Sequence, residues 1–225
     1  MAKPRVARLR VTPKERQRIE TLFERFETGA VRPKTELDYK SPFTLLVSVV
    51  LSAQATDKSV NKATAELYRV ADTPEAMAAL GVEGVTPFIK TIGLFRNKAK
   101  NVVALSRILI DRYGGQVPLQ REALQELPGV GRKTASVVLN ELDVEPAIAV
   151  DTHVFRVSHR LGLSTAKTPD KLEAELMGKI PERYLTRAHH WLILHGRYTC
   201  LARRPRCENC LVSDLCPSRE LFVGA

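Results

Sequence analysis

From residue 41 to the last quarter of the chain, apolar positions recur at the spacing of helices. Ser41-Pro42 reads as a helix start, a capping hydroxyl followed by proline at the first helical position. Phe43, Leu45, Leu46, Val47, Val49, Val50 and Leu51 follow, apolar on nearly every side, which predicts a central, buried helix. Thr56 or Asp57 can cap a second helix reaching about Val70. Thr73-Pro74 starts a third, ending at Gly81, and a short fourth near Thr86-Pro87 is stopped by Gly93. A longer helix is predicted over about 96–113, halted by Gly114-Gly115; the stretch 118–127 holds another short one, and 132–142 the next. Asp151 is placed to cap a helix over 152–161 with Gly162 as its stop signal, and further helices fit 169–177 and 182–195. No stretch alternates with period two for long, so the fold class is read as all-α.

Composition narrows the function classes. At 225 residues, with 44% apolar and 27% charged positions, the chain can bury a real core and is not disordered as a whole. Its longest nearly apolar run, 42–53, is shorter than the about 20 residues a bilayer span needs. No secretory leader is evident behind the basic N-terminus. Lys and Arg number 35 against 25 Asp and Glu, a net charge of +10 that favours polyanionic partners, nucleic acid or an anionic membrane face, over a merely basic soluble protein. Aromatic residues are scarce at 6%, so a broad base-stacking platform is not expected. The first 18 residues carry seven basic side chains and one acidic one, which fits either a DNA-contacting arm or a solvated face.

The cysteines change the picture most. All four fall in Cys200-x6-Cys207-x2-Cys210-x5-Cys216, and the preceding 199 residues have none. A disulfide scaffold belongs to small secreted chains, so a bound metal centre in a reducing compartment is the better account. Thiolates select zinc or iron–sulfur clusters. One compact loop wrapped around a centre larger than a single ion leans towards [4Fe–4S], with zinc the alternative. Arg203, Arg204 and Arg206 fill the first loop between ligands and suit phosphate contact, or simply solvent. His189, His190 and His195 are read as helix-packing residues rather than ligands, because they share a helix with Trp191, Leu192, Ile193 and Leu194.

A second constellation is L-P-G-V-G-R-K-T-A at 127–135, between two predicted helices. Its glycines allow a tight turn and close approach of the backbone to a ligand. Amides at the start of the following helix then form an anion site suited to a DNA phosphate, a contact that positions without reading sequence. Gly129, Val130, Gly131 and Arg132 are the DNA-binding candidates here. Lys133 sits in the first turn of that helix, where the field of the helix disfavours an ammonium and makes the neutral amine more available. An amine beside a bound phosphate can attack a sugar C1′ and form a Schiff base, or Lys133 can be a phosphate contact without chemistry. Asp151 can be a helix cap, and also a carboxylate that stabilises the oxocarbenium character developing when an N-glycosidic bond breaks.

At these residues the chain resembles the endonuclease III family of helix-hairpin-helix DNA glycosylases with a [4Fe–4S] cluster. The resemblance runs through L-S-A-Q-A-T-D at 51–57, K-T-I-G-L at 90–94, L-P-G-V-G-R-K-T-A at 127–135, A-V-D-T-H at 149–153, H-G-R-Y-T-C at 195–200 and the four cysteines. It covers nearly the whole chain and favours the cluster over zinc. It implies two helical domains with a DNA-binding groove between them. One is a six-helix barrel over about 35–145 holding the helix-hairpin-helix at about 121–140; the other joins 1–34 to 146–225 and carries the cluster. The implied activity is base excision: removal of oxidised pyrimidines from duplex DNA, then cleavage 3′ to the abasic site by β-elimination. Lys133 falls on the nucleophilic lysine, Asp151 on the catalytic aspartate, Cys200, Cys207, Cys210 and Cys216 on the cluster ligands, and Gln54 and Leu94 on residues that enter the duplex as the lesion leaves it. Ser52, Asp57 and His153 are candidates for the lesion pocket. The implied partner is damaged double-stranded DNA, bound by a monomer in the cytoplasm of a bacterium-like cell. Two departures stand out. The N-terminus extends about a dozen residues past the usual family start, and Gln125 stands where the family is expected to have a carboxylate.

Three other readings compete. An adenine glycosylase shares the cysteine spacing but lacks the hairpin lysine, so Lys133 argues against it. A mismatch glycosylase uses the same scaffold. A non-catalytic DNA-binding or redox-sensing iron–sulfur protein would not need Lys133 paired with Asp151.

Overall fold

Every regular element among the described residues, 9–29, 33 and 35–223 of a computed structural model, is helical. In chain order they are α1 (Pro13–Gly29), α2 (Pro42–Ser52), α3 (Asp57–Val70), α4 (Pro74–Ile89), α5 (Phe95–Tyr113), α6 (Arg121–Gln125), α7 (Arg132–Glu141), α8 (Thr152–Arg160), α9 (Pro169–Lys179) and α10 (Glu182–Tyr198). Short 3-10 turns follow at Cys207–Asn209, Ser213–Leu215 and Arg219–Leu221. The all-α reading holds. Among the described residues no helix is long and apolar enough to cross a membrane.

The helix starts form through local hydrogen-bond chemistry. Ser41 caps α2 in a capping box with Thr44, with proline in the first turn; Thr56 accepts from the Ser59 amide, and Thr73 from the Ala76 amide. The break expected at Gly81 lies inside α4, where that glycine takes φ 68°, ψ 176° and kinks the element. The short helix expected within 118–127 is α6. Gln120 at its start supplies no side-chain cap, and the chain turns after Gln125, with the Leu127 amide on the Leu124 carbonyl and the Val130 amide on that of Leu127.

The chain divides into two compact units, residues 35–144 and residues 1–34 with 145–225. The first is built around α2, whose Phe43, Leu45, Leu46, Val47, Val50 and Leu51 are buried. Each such side chain contributes roughly 1.5–3 kcal/mol relative to exposure. An α2 anchored this firmly fixes where its C-terminal end, and the Ala53–Gln54 turn after it, must lie.

In the second unit Ile19, Leu22, Phe23 and Phe26 of α1 pack with Val154, Val157, Leu176, Tyr184, Trp191 and Leu192 of α8, α9 and α10. The Phe23 and Tyr184 rings stack at 5.9 Å. α1 is also tied to the cysteine loop: Arg25 donates to the Leu211 carbonyl and pairs with Asp214. These contacts explain why the N-terminal segment belongs with the C-terminal helices. Of the basic run 1–18, residues 1–8 lie outside the described residues and 13–18 open α1. Arg18 is neither a DNA arm nor a solvated charge. Its guanidinium donates to the carbonyls of Leu161 at 2.8 Å, Gly162 at 3.1 Å and Leu215 at 3.2 Å. The apolar stripe 19, 22, 23, 26 was the available signal for this helix, and it outweighs the charge run.

Candidate functional site

The hairpin lies in the first unit. Gly129 takes φ +81°, and a Cβ there would meet Asn101 Nδ2 at 2.9 Å, Asn101 Cβ at 3.1 Å and Val50 Cγ1 at 3.1 Å. Both the backbone sign and the space demand glycine. Gly129→Ala is therefore expected to lower stability by about 2–4 kcal/mol, from αL strain plus overpacking. Thermal melting checks this, and an unchanged midpoint would show that the turn has room. Gly131 is extended, with open space at its Cβ position, and directly precedes α7. Val130 is 5% exposed, its side chain in the core, and its amide donates to the Leu127 carbonyl. Arg132 and Lys133 are exposed in the first turn of α7, which contains no acidic residue. The positive end of the α7 dipole lies at this turn. Arg121 Nη1 donates to Ser136 Oγ at 2.6 Å and ties α6 to α7. Gln125, the departure noted at a family carboxylate, ends α6 and is exposed.

Two strained turns in the same unit carry the remaining exposed candidates. Gln54, after α2, has φ 55°, and Leu94, before α5, has φ 60°. Left-handed geometry costs a non-glycine residue roughly 1–2 kcal/mol and persists where surrounding structure imposes it, often at functional sites. Leu94 is 58% exposed, although it is apolar and next to a buried Ile92. The turns are neighbours, because a Cβ on Gly93 would lie 3.6 Å from the Gln54 carbonyl oxygen. Ser52 is half-buried with Oγ on the Val49 carbonyl at 2.8 Å, and Asp57 is half-buried at the start of α3. Sequence reasoning missed Lys98, one turn into α5, whose amide bonds the Leu94 carbonyl at 3.1 Å. It is 4% exposed, its ammonium has no hydrogen-bond partner among the described residues, and burial pulls it below the ordinary lysine range.

The second unit holds Asp151 and the cysteines. Asp151 caps α8, with Oδ1 accepting from the His153 amide at 2.9 Å and the Val154 amide at 2.8 Å. Oδ2 is not used by the cap. His153 is half-buried, with Nδ1 at 3.3 Å from Arg156 Nη2. Arg156, unremarked in the sequence reading, also donates to the Cys200 carbonyl from Nε at 3.2 Å and to the Gly196 carbonyl from Nη2 at 2.8 Å. It fastens the helix that Asp151 caps to the end of α10 and the first cysteine.

All four cysteines are half-buried free thiols lining one pocket, alongside Arg160, His195 and Phe222. Burial pushes the Cys210 and Cys216 thiols up, so the loop by itself favours neutral sulfur and gains from a cationic centre that holds thiolates. His195 is pushed down to about 4 by burial and lies with Nε2 3.7 Å from Cys210 Sγ. His189 and His190 are 5% and 8% exposed on the packed face of α10. Four cysteine sulfurs lining one pocket, with no carboxylate among the residues that line it, are the donor set an iron–sulfur cluster takes. Arg203, Arg204 and Arg206 are exposed on the intervening loop.

Comparison with known proteins agrees with this donor set. Residues 47–182 match the family described as HhH-GPD superfamily base excision DNA repair protein, and residues 200–216 match the iron–sulfur binding domain of endonuclease III. The chain is 54% identical to endonuclease III of Escherichia coli K12, over 91% of this chain and 96% of that protein. It is 56% identical to endonuclease III of Rickettsia conorii, over 89% and 95% respectively. Among solved structures it is similar to a trapped endonuclease III–DNA covalent intermediate, at a TM-score of 0.85 and 42% identity, covering 94% of this chain and 99% of that one. A thermostable thymine-DNA glycosylase matches at 0.79 and 26%, covering 92% and 98%.

Proposed function

The chain belongs to the endonuclease III family of base excision DNA repair proteins, and on that premise we propose that Lys133 and Asp151 are its catalytic pair, acting on oxidised pyrimidines in duplex DNA. It is a DNA glycosylase and abasic-site lyase that carries a [4Fe–4S] cluster on Cys200, Cys207, Cys210 and Cys216. The observation that carries the proposal is an exposed lysine in the first turn of a helix that begins directly after the glycine hairpin, with its positive N-terminal end beside it.

The residues divide the work. Amides at Gly131 and Arg132, with the Arg132 guanidinium, hold backbone phosphate beside the lesion and set its register. Gln54 and Leu94 fill the space the damaged nucleotide leaves, and Ser52, Asp57 and His153 border its pocket. Lys133 Nζ, as the free amine, forms a bond to C1′ while the C1′–N bond to the base breaks and the base departs with the electron pair. Asp151 Oδ2 stabilises the positive charge at the sugar. The new secondary ammonium gives up a proton, the sugar-ring C1′–O4′ bond breaks and O4′ takes up that proton, which leaves a protonated Schiff base. Removal of a C2′ proton expels the 3′ phosphate, and water releases Lys133 from the product. The cluster supplies cross-linking of the loop that presents Arg203, Arg204 and Arg206, and no step of the chemistry passes through it.

We infer a monomer on damaged duplex, working in the cytoplasm on the chromosome. Incubation with duplexes holding one thymine glycol, one T:G mismatch or no lesion tests the substrate class. Base release and a 3′ nick on the glycol duplex alone are expected; cleavage of T:G alone would move the chain to mismatch repair. Leu94→Ala is expected to slow excision from duplex about 10–100-fold, the worth of an apolar wedge of a few kcal/mol, with a smaller loss on single strands. Single-turnover rates check this, and equal losses on both substrates would place Leu94 outside lesion extrusion.

A further inference from the structure

One guanidinium lies against the cysteine loop and takes no part in the Lys133 chemistry or in phosphate contact. Arg160 ends α8 and is half-buried. Its Nη1 lies 3.5 Å from Cys200 Sγ and donates to the Leu201 carbonyl at 2.7 Å, while Nη2 donates to the Ala202 carbonyl at 2.7 Å. The face of the same group is covered by the Phe222 ring, with Cζ 4.4 Å from the ring centroid. Its own carbonyl oxygen lies 3.2 Å from Cys216 Sγ. Arg160 therefore touches both the first and the last cysteine of the loop.

We propose that Arg160 is a positioning residue that sets the reduction potential of the cluster by holding a covered positive charge and an N–H donor against the Cys200 sulfur. The charge of a cluster becomes more negative by one on taking up an electron. A cation and an N–H···S bond at the thiolate stabilise that state over the other, which raises the potential. Phe222 strengthens the effect by excluding water from one face of the guanidinium, and a charge in less polar surroundings acts more strongly. The two carbonyl bonds fix the fork in place. Lysine keeps the charge but cannot span the sulfur and both carbonyls at once. Glutamine keeps a donor without the charge. No electron transfer is assigned to base excision, and in the test the electrode is the electron source.

The inference rests on the cluster alone and is independent of Lys133 and Asp151, so base-release assays on the same preparations separate the two. Arg160→Lys, Arg160→Gln and Arg160→Met are loaded with iron and sulfide. Midpoint potentials are read by film voltammetry without DNA, with iron content and visible absorption reporting occupancy. The expected result is a shift to more negative potential in every variant that holds the cluster, larger for glutamine and methionine than for lysine. Phe222→Leu, which thins the cover and leaves the guanidinium, is expected to shift it in the same direction by less. Potentials equal to wild type in the loaded variants would overturn the proposal. Failure of all three Arg160 variants to retain iron would overturn it too, since Arg160 would then be a folding element only.

Discussion

Lys133→Gln leaves a folded protein that binds lesion duplex within about tenfold of wild type and cleaves it at least about 10³-fold more slowly, the scale expected when a nucleophile is removed. The fold has little to lose, because Lys133 is exposed in the first turn of α7 and surface changes of this kind stay within about 0.5 kcal/mol. Binding has little to lose either, since glutamine gives up one cation near phosphate while the amides of α7 remain. The chemistry loses its amine, and no covalent adduct is expected on borohydride treatment. Melting, affinity and trapping are measured together on one preparation. Trapping at wild-type yield would show that another amine does the work and would return Lys133 to phosphate binding.

The second large effect is expected at Asp151, where the observed cap and the proposed catalytic role share one carboxylate. Its Oδ1 caps α8 through the His153 and Val154 amides. Asparagine caps almost as well as aspartate, so Asp151→Asn is expected to cost less than about 1 kcal/mol of stability. It removes the negative charge proposed to stabilise the developing oxocarbenium, so base release is expected to fall about 10²–10⁴-fold. Asp151→Ala adds the loss of the cap, typically about 1 kcal/mol, to the same kinetic defect. Two variants with equal activity and different melting points would separate cap from catalysis. Base release near the wild-type rate in Asp151→Asn would leave only the cap.

What the sequence made legible was local chemistry. Ser41, Thr56, Thr73 and Asp151 each announce a helix through a side-chain oxygen three residues or fewer from its amide partner, and each cap forms. The cysteine spacing and the glycine hairpin are equally local, being set within 17 and nine residues. What stayed hidden depends on partners far along the chain. Arg18 bonds carbonyls more than 140 residues away, and Arg156 and Arg160 reach the Cys200–Ala202 backbone across about 40. In sequence each is one arginine among many. Lys98 is hidden for the opposite reason: a lysine one turn after an exposed loop reads as solvent-facing, and only packing shows it 4% exposed. Val130 lies inside a motif read as DNA-binding, yet its β-branched side chain is what buries the turn. The short helix read within 118–127 forms as α6, although Gln120 at its start gives it no side-chain cap.

The central claim is that the amine attacking the sugar is Lys133. The most direct measurement is borohydride trapping of the unaltered protein on a duplex with one thymine glycol, followed by proteolysis and mass spectrometry of the peptide carrying the nucleotide. The account predicts one adduct, on the peptide that holds Lys133, and none with undamaged duplex. An adduct on any other lysine or on the terminal amine, with Lys133 unmodified, would contradict it.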